Sequence, residues 1–229
     1  PSLLSRIDLE VGLPPQYIMD LSIIIVNWNC ASFTRECVSS IRSFTHGLNY
    51  EIIVVDNAST DNSLEVLESL DIRLIRSPEN LGFARANNLG ALKSSGRVLL
   101  FLNPDTELVS PAINSMYTSL VGAPGFGAVG CKLLNTDRTL QTSCIQPFPT
   151  VLNQVADIEK LKLLYPNVRM WGIGPLFRDS KSQPAPVEAV SGACLMILRE
   201  VFEQIGNFST DYFMYGEDID LCYKTQRAG

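Results

Sequence analysis

A short apolar segment that ends in a proline turn constrains the fold of this chain more than any other feature. Residues 98–102 read Val-Leu-Leu-Phe-Leu, and the turn sequence Asn-Pro-Asp follows at 103–105. An apolar run of this length, bounded by a turn signal, predicts a buried strand. Asp105 then follows the carboxyl end of the strand, which is the edge where open α/β sheets bind ligands. The alternative is that Asn-Pro-Asp only starts a helix, with Asp105 or Thr106 as its cap.

Segments predicted as strands alternate with segments predicted as helices along the first half of the chain. The β-branched and apolar stretches at 21–26, 51–55 and 72–75 predict three further strands. Apolar residues recur at helical spacing after the first two of them, at 31–45 and 64–70. Short connections between alternating strands and helices indicate right-handed βαβ units. The sequence therefore predicts an α/β fold with a doubly wound, mostly parallel sheet flanked by helices.

The second half of the chain has a weaker pattern. A helix is predicted at 111–120 and a strand at 127–134. Residues 135–186 are richer in proline and have poor periodicity, and we expect them to form an excursion that shapes one side of the ligand-binding region. A strand-like segment follows at 187–198, and a final amphipathic helix is predicted at 221–227.

The composition fits one globular domain and excludes several other classes of protein. The chain has 229 residues, of which 46% are hydrophobic and 18% charged, and its net charge is -6. This length can bury a large core, so residues 21–229 are predicted to form one domain after an N-terminal arm at 1–20. No basic field is present to attract nucleic acid, and we expect no nucleic-acid partner. No apolar run approaches the ~18 residues of a membrane span, so neither a transmembrane segment nor a signal peptide is expected.

The six cysteines indicate the compartment. They form no Cys-x-x-Cys pair, and several lie within apolar runs. Buried free thiols in a reducing cytoplasm are therefore expected. We predict a cytoplasmic location, with the inner face of the membrane as the alternative position.

Polar side chains cluster where the predicted strands end. Three clusters, at 27–29, 56–61 and 103–105, follow strands, and a fourth lies at 217–220. Strands of a doubly wound sheet deliver the first three clusters to one crevice. The chain has neither a Gly-x-Gly-x-x-Gly motif after the first strand nor a Walker A lysine, which argues against a dinucleotide dehydrogenase and a P-loop enzyme. Phosphates would then be held by a metal ion on carboxylate oxygens.

Four segments together resemble the inverting family 2 glycosyltransferases, and most closely their rhamnosyltransferase-like branch. The segments are Ser-Ile-Ile-Ile-Val-Asn-Trp-Asn at 22–29, Glu-Ile-Ile-Val-Val-Asp-Asn-Ala-Ser-Thr-Asp at 51–61, Asn-Leu-Gly-Phe-Ala at 80–84, and Gly-Glu-Asp-Ile-Asp-Leu-Cys at 216–222. The resemblance covers residues 21–229 and preserves the order of the motifs. It implies a GT-A fold and the transfer of a sugar, with inversion, from a nucleotide diphosphate donor to an acceptor hydroxyl.

The resemblance also implies a role for each matching residue. Asp218 takes the place of the general base, with Glu217 beside it as a second catalytic residue. Asp105 takes the place of the residue that binds Mg²⁺ or Mn²⁺ on the diphosphate. The implied nucleotide-sugar site comprises Val26, Asn27, Asn29, Asp56, Asn57, Asp61, Gly82, Phe83, Asn88, Asn103 and Asp105. A base is needed because the acceptor hydroxyl must lose its proton as it attacks the anomeric carbon.

The chain departs from the family pattern in two places. Asn103 replaces the first acid of the family's Asp-x-Asp, which removes one anionic ligand and leaves the degree of metal dependence open. Relatives commonly continue past the position of Gly229, so the resemblance implies a domain truncated at its C-terminus.

The predicted reaction is the transfer of rhamnose from dTDP-rhamnose, or of a sugar from a UDP donor, to a polysaccharide or a lipid-linked glycan. Another hexosyl or N-acetylhexosaminyl transferase of the same family is the nearest alternative. A non-catalytic nucleotide-binding domain is the alternative from a different class. A receiver-like signalling domain is disfavoured, because it would need paired acids where the chain has Asn27 and Asn29.

Several of these residues also have purely structural interpretations. Asp56 and Asp61 could serve a turn and a helix cap, and Glu217 and Asp218 could be favourable charges in the first turn of a helix. A structural role is favoured for Asp220. Among the aromatic residues, Trp28 could stack on the base or pack in the core, and Trp171 could stack on a sugar ring.

Overall fold

The computed structural model describes residues 17–122, 125, 127–151, 153, 163–177 and 184–228. Most of the predicted arm, residues 1–16, lies outside this set. The strands within it are β1 (Met19–Asn27), β2 (Tyr50–Asp56), β3 (Arg73–Arg76), β4 (Gly96–Leu102), β5 (Ala128–Gly130), β6 (Ile145–Gln146), β7 (Ala189–Val190) and β8 (Cys194–Leu198). The helices are α1 (Ala31–Phe44), α2 (Ser63–Glu68), α3 (Gly82–Leu92), α4 (Ala112–Gly122), α5 (Arg199–Gln204) and α6 (Glu217–Ala228).

Six strands form the central sheet in the order β3-β2-β1-β4-β8-β5. Strands β3, β2, β1 and β4 are parallel to one another, whereas β8 runs antiparallel to both β4 and β5. The mostly parallel, doubly wound sheet predicted from the sequence is confirmed. The chain moves outward from β1 to β3 and then returns to place β4 on the other side of β1. This reversal of strand order opens a crevice at the carboxyl ends of β1 and β4.

Two predicted boundaries near the C-terminus were wrong in a way that matters for the site. The strand-like segment 187–198 is two strands, β7 and β8, separated by a turn at 191–193. The turn is closed by the amide of Cys194, which donates to the carbonyl of Ser191 at 3.2 Å. The final helix begins at Glu217 rather than at Leu221, so the Glu-Asp pair lies in its first turn.

The core lies on both faces of the sheet. Alternate residues of a strand point to opposite faces, so Ile23 and Ile25 pack with Cys37 of α1 on one face, and Ile24 packs beneath α3 on the other. Helix α3 comes especially close to the sheet, because a Cβ on Gly90 would lie 2.5 Å from Cγ2 of Ile24. The sheet is therefore the middle of three layers, and only its ends are open to ligands.

The segment 135–186 contributes to the core in its described part. Trp171 is 6% exposed and belongs to the apolar cluster on the α3 face of the sheet. Its prediction as a stacking platform for a sugar was wrong, because a ring enclosed by the core presents no open face. Within the described ranges, no helix combines the length and the apolar character needed to cross a bilayer.

All six cysteines are free thiols, and four of them are buried. Burial raises the pKa of Cys37 to about 12, followed by smaller contributions from Asp105 and Glu107. This thiol is therefore protonated at neutral pH and acts as a small apolar core residue.

A buried arginine forms hydrogen bonds at the amino end of β4. Arg199, the first residue of α5, is 8% exposed. Its Nε donates to the carbonyl of Gly96 at 2.7 Å, its Nη1 to the carbonyl of Ala91 at 3.1 Å, and its Nη2 to Oγ of Ser94 at 2.5 Å. One side chain thus links the end of α3, the start of β4 and the start of α5, because five guanidinium donors can serve several carbonyls at once.

A second polar network joins the amino ends of the central strands. Oε1 of Glu51 on β2 accepts hydrogen bonds from Oγ of Ser22 at 2.7 Å and from the amide of Ser95 at 2.6 Å. Arg73 lies 3.8 Å from Oε2. Burial raises the pKa of the Glu51 carboxyl, but these hydrogen bonds and the charge of Arg73 outweigh burial, and the pKa lies below its usual value.

Replacing Glu51 with glutamine tests this network through its pH dependence. Because the pKa of Glu51 is lower in the folded state, the carboxylate stabilises the fold above its unfolded pKa and loses this effect as the pH falls through its folded pKa. At pH 7, Glu51→Gln should lower the free energy of unfolding by about 2 kcal/mol. In urea denaturation the difference from the wild type should shrink at pH 3, whereas Glu107→Gln, an exposed control, should match the wild type at both pH values. A difference that does not change with pH would contradict the charged role.

Candidate active site

Asn27 and Asp56 face each other at the carboxyl ends of β1 and β2, where they are partners in the register of the sheet. Nδ2 of Asn27 donates to Oδ1 of Asp56 at 2.9 Å and to Oγ of Ser59 at 3.1 Å, and its Oδ1 accepts from Oγ1 of Thr34 at 2.8 Å. Asn27 is fully buried and Asp56 is 2% exposed. The geometry gives Asn27 a positioning role, since it fixes the carboxylate of Asp56. Its own nucleotide contact stays a prediction.

The turn after β2 is tied to the turn after β1. Asn29 has a φ of 54°, and its Oδ1 accepts from the amide of Thr60 at 2.8 Å. Ser59, which the sequence prediction missed, accepts from the amide of Asn29 at 2.9 Å and donates its own amide to Oδ2 of Asp56 at 3.2 Å. Its position three residues after Asp56 was the available signal, because an Asp oxygen at a helix cap commonly accepts from the amide three residues on.

Asp61 and Val26 occupy the margins of this region. Oδ1 of Asp61 accepts from the amide of Ser63 at 3.0 Å, a turn contact just before α2, where Asn62 and not Asp61 is the N-cap. Val26 is half-buried and packs with Val55 in a small apolar cluster beneath the turn. Both residues stay predictions as nucleotide contacts.

Asn57 holds the loop that leads into α3. The residue is 3% exposed. Its Oδ1 accepts from the amide of Leu81 at 2.8 Å, and its Nδ2 donates to Oδ1 of Asn80 at 3.0 Å. Asn80 in turn accepts from the amide of Gly82 at 2.9 Å, a role that the prediction did not give it. Asn57 therefore positions Gly82 from across the strand edge.

Gly82 and Phe83 bring α3 against the segment that precedes α6. Gly82 has a φ of +74°, and a Cβ there would overlap the carbonyl oxygen of Phe213. The amide of Phe83 donates to the same carbonyl at 2.9 Å.

Farther along α3, Nδ2 of Asn88 donates to the carbonyl of Phe208 at 2.9 Å, and Oδ1 of Asn88 accepts from the amide of Phe208 at 3.1 Å. Asn88 thus acts as a structural link, and its nucleotide contact stays a prediction.

The turn after β4 carries the predicted metal ligand. The amide of Asn103 donates to the carbonyl of Ala193 at 2.9 Å, so the turn is attached to the start of β8. Asn103 is half-buried and Asp105 is exposed. In the described part of the chain, no group of three or more His, Cys, Asp or Glu side chains is arranged to hold a metal ion. One exposed carboxylate fits a Mg²⁺-type ion that takes its remaining ligands from water and phosphate.

Glu217 and Asp218 lie in the first turn of α6. Oδ2 of Asp218 accepts from the amide of Gly192 at 2.9 Å. Glu217 is 5% exposed, and among the described residues its Oε2 has no hydrogen-bond partner. Burial raises the pKa of the Glu217 carboxyl, and the nearby charge of Asp218 adds to this effect. The charged form is therefore disfavoured at Glu217, so Asp218 is the better candidate for a carboxylate base.

The turn at 191–193 brings the two chemically important regions together. Gly192 is bonded to Asp218, and the next residue, Ala193, is bonded to Asn103. The predicted base and the predicted metal turn are therefore hydrogen-bonded to two consecutive residues of one segment. Sequence reasoning missed Gly192 because a backbone amide leaves no trace in residue type.

A cleft of ≈ 410 Å³ lies beside β6 and β7. Its lining includes Gln146, Glu188 and Gln226. Gln226 lies on α6 eight residues after Asp218, which is about two helical turns. The cleft is thus separate from the predicted donor site.

Comparison with known proteins identifies the class. The model of the family described as Glycosyl transferase family 2 matches residues 22–206. The chain therefore belongs to glycosyl transferase family 2, and the fold predicted from the motifs, GT-A, is confirmed.

Two curated relatives show the range of the family. The low-salt glycan biosynthesis hexosyltransferase Agl10 of Haloferax volcanii is 29% identical over 91% of this chain and 62% of its own length. The N-acetylglucosaminyl-diphospho-decaprenol L-rhamnosyltransferase of Mycobacterium tuberculosis is 28% identical over 78% of this chain and 61% of its own length. The chain thus spans less than two thirds of either relative.

A solved structure shares the fold at low identity. The mannosyltransferase PcManGT from Pyrobaculum calidifontis, described in complex with GDP-Man and Mn²⁺, superposes with a TM-score of 0.65 at 19% identity. The match covers 96% of this chain and 55% of that protein.

The close approach of Gly82 to Phe213 can be tested with a matched pair of glycines. Gly47 has a φ of +71° and open space, with nothing within 4 Å, where a Cβ would lie, whereas Gly82 has a similar φ and a blocked Cβ position. Gly47→Ala should cost about 1 kcal/mol from the backbone alone, and Gly82→Ala about 3 kcal/mol because the contact with Phe213 must also yield. Urea denaturation measures both values. Equal losses would show that Gly82 does not hold the segment before α6.

Proposed function

We propose that this chain is the donor-binding and catalytic part of an inverting glycosyltransferase. The observation that carries the proposal is the turn at 191–193, which bonds Asp218 through Gly192 and the Asn103 turn through Ala193. The reaction needs both a base for the acceptor hydroxyl and a residue that binds the metal ion on the departing diphosphate. The two belong on opposite sides of the transferred sugar, and a short rigid segment can keep that spacing constant.

The donor side is the edge formed by the turns after β1 and β2. Asp56 is held by Asn27 and Ser59, and this carboxylate would accept hydrogen bonds from the base or ribose of the nucleotide. Asn29 and Asn57 keep the surrounding loops in place. Gly82 and Phe83 would line the sugar side, because the amide of Phe83 is bonded to the segment that precedes Asp218 and Gly82 lies against that segment. These side chains are fixed by hydrogen bonds to one another and to the loops, which lowers the ordering cost of binding.

A divalent metal ion fits the turn after β4. Asp105 would hold Mg²⁺ or Mn²⁺, assisted by the amide oxygen of Asn103, and the donor diphosphate would complete the ligand set. PcManGT, which shares the fold, is described with Mn²⁺ and GDP-Man. A bound ion would neutralise charge on the departing diphosphate. The amide at Asn103 supplies less charge than an acid would, so we expect weaker metal binding than two carboxylates would give.

Asp218 would remove the proton of the acceptor hydroxyl. The amide of Gly192 donates to Oδ2, and the amide of Ile219 donates to Oδ1 at 2.8 Å, so the carboxylate is held in one orientation. As the hydroxyl oxygen attacks the anomeric carbon, its proton passes to Asp218 and the bond to the diphosphate breaks on the opposite face. The product then has the inverted configuration.

The proposed donor sugar is rhamnose, carried by dTDP, with another hexose on UDP as the alternative. The relatives named above are a hexosyltransferase and an L-rhamnosyltransferase that acts on a lipid diphosphate sugar. The proposed acceptor is accordingly a hydroxyl of a polysaccharide or of a lipid-linked glycan. A lipid-linked acceptor would place the protein at the cytoplasmic face of the membrane.

Replacing Asp218 with asparagine tests the proposal directly. Asp218→Asn keeps the size of the side chain and one acceptor oxygen but removes the proton acceptor, so transfer should fall by about 10²–10⁴-fold while nucleotide affinity stays near that of the wild type. Transfer of labelled sugar to lipid diphosphate-linked N-acetylglucosamine and to polysaccharide acceptors measures the rate, and calorimetry measures the affinity.

Asp220→Asn is the matched control on the same helix. Oδ2 of Asp220 pairs with Nζ of Lys224 at 2.7 Å, one helical turn away, so this change should affect transfer less than about threefold. Normal turnover by Asp218→Asn would refute the assignment of the base. Nucleotide binding without transfer by the wild type would favour the non-catalytic nucleotide-binding domain.

A further inference from the structure

Four large side chains stand exposed directly before the catalytic helix. Tyr212, Phe213, Met214 and Tyr215, here called the aromatic segment, are 39%, 63%, 50% and 82% exposed. Contiguous apolar side chains on a surface generally mark a binding site, because their exposure to water is unfavourable. Their position, with Tyr215 three residues before Asp218, makes them continuous with the proposed active site.

The backbone of the aromatic segment is held in one position. The carbonyl of Phe213 accepts from the amide of Phe83 at 2.9 Å, and Gly82 leaves room for that approach. At the other end, Gly216 has a φ of +93°, and a Cβ there would lie 3.2 Å from the ring of Tyr212. The exposed side chains are therefore presented by a fixed backbone that is bonded to the 82–83 loop of the proposed donor site.

Tyr215 is held in an unfavourable conformation without compensation from packing. Its φ of 69° lies in the left-handed region, which is costly for a bulky side chain and is normally occupied by glycine. A side chain that is 82% exposed buries too little surface to offset that cost. Strain of this kind concentrates at functional sites, where the presented side chain has a ligand to contact.

We infer that the aromatic segment is the platform for the terminal sugar of the acceptor, with the ring of Tyr215 stacked on the C–H face of that sugar. The inference rests on the proposed function and specifies its acceptor subsite. An aromatic face covers the apolar side of a sugar ring, while the nearby carboxylate of Asp218 receives a hydroxyl at the edge of the ring. Stacking would thereby orient the attacking hydroxyl toward the base.

The charges around the aromatic segment favour a neutral sugar over a lipid surface. Asp211 precedes the segment, and Glu217, Asp218 and Asp220 follow it. Carboxylates at both ends repel the anionic head groups of a membrane. The carboxylate of Asp218 is a suitable acceptor for a sugar hydroxyl.

Tyr215→Gly separates binding from folding, because the two effects have opposite signs. Glycine relieves the left-handed strain, so the melting temperature should rise by about 2 °C. Loss of the stacking ring should weaken binding of octyl glycosides of N-acetylglucosamine, rhamnose or glucose, titrated by NMR, by about tenfold for the sugar that binds best. Nucleotide affinity should not change, and the KM for the acceptor should rise in transfer assays while the KM for the donor stays constant.

Two further variants complete the test. Arg138 has a φ of 66° in an exposed turn, so Arg138→Gly should also raise the melting temperature but leave glycoside binding unchanged. Tyr215→Phe keeps the ring and should bind glycosides within about twofold of the wild type, since stacking and not the hydroxyl supplies the contact.

The outcomes distinguish this inference from the proposed function. Equal glycoside affinity in the wild type and Tyr215→Gly, including no binding by either, overturns the inference even if transfer occurs. Loss of sedimentation with phosphatidylglycerol vesicles in Tyr215→Gly, with glycoside binding intact, would identify a lipid contact instead. Absence of nucleotide binding by the wild type would refute the proposed function, whatever the glycoside result.

Discussion

Two hydrogen bonds of the turn at 191–193 hold the candidate active site together. Gly192 donates its amide to Asp218, and Ala193 accepts from the amide of Asn103. The turn can serve both because β8 runs antiparallel to β4, which brings its amino end to the edge where the parallel strands end. If β8 were parallel, its amino end would lie at the opposite edge, and α6 would have no anchor near the metal turn.

The sequence predicts the parallel half of this fold well and the antiparallel half poorly. Apolar runs ending in polar turns identified β1, β2 and β4, and with them the edge where Asp56 and Asp105 lie. Hydrophobic periodicity cannot give the direction of a strand. It therefore could not predict the turn before β8 or the contact of Gly192 with Asp218. The sequence also identified the polar residues at the strand ends, but it could not show which of them hold loops and which are open to a ligand. Only burial distinguishes Asn27 and Asn57, which hold neighbouring loops, from residues open to a ligand such as Asp105.

Two residues beside the site oppose the stability of the fold. Glu217 buries a carboxyl whose Oε2 finds no hydrogen-bond partner in the described structure, and Tyr215 has a left-handed backbone with an exposed ring. Neither choice can be explained by packing, since glutamine and glycine would fit the same places at lower cost. Tyr215 and Glu217 lie on either side of Gly216, directly before Asp218, so both belong to the segment that positions Asp218. Trp171, by contrast, is enclosed by the core, so aromatic character alone does not identify a residue that is open to a ligand.

Calorimetric titration with UDP, dTDP and GDP, each with and without Mn²⁺, tests most directly the central claim that this sheet edge binds a nucleotide diphosphate through a metal ion at Asp105. We expect that one of the three nucleotides binds with micromolar affinity, that Mn²⁺ strengthens this binding, and that Asp105→Ala abolishes the strengthening. Glu107→Ala, which removes an exposed carboxylate two residues away, should behave as the wild type. Equal affinities of the wild type and Asp105→Ala in the presence of Mn²⁺ would contradict the claim.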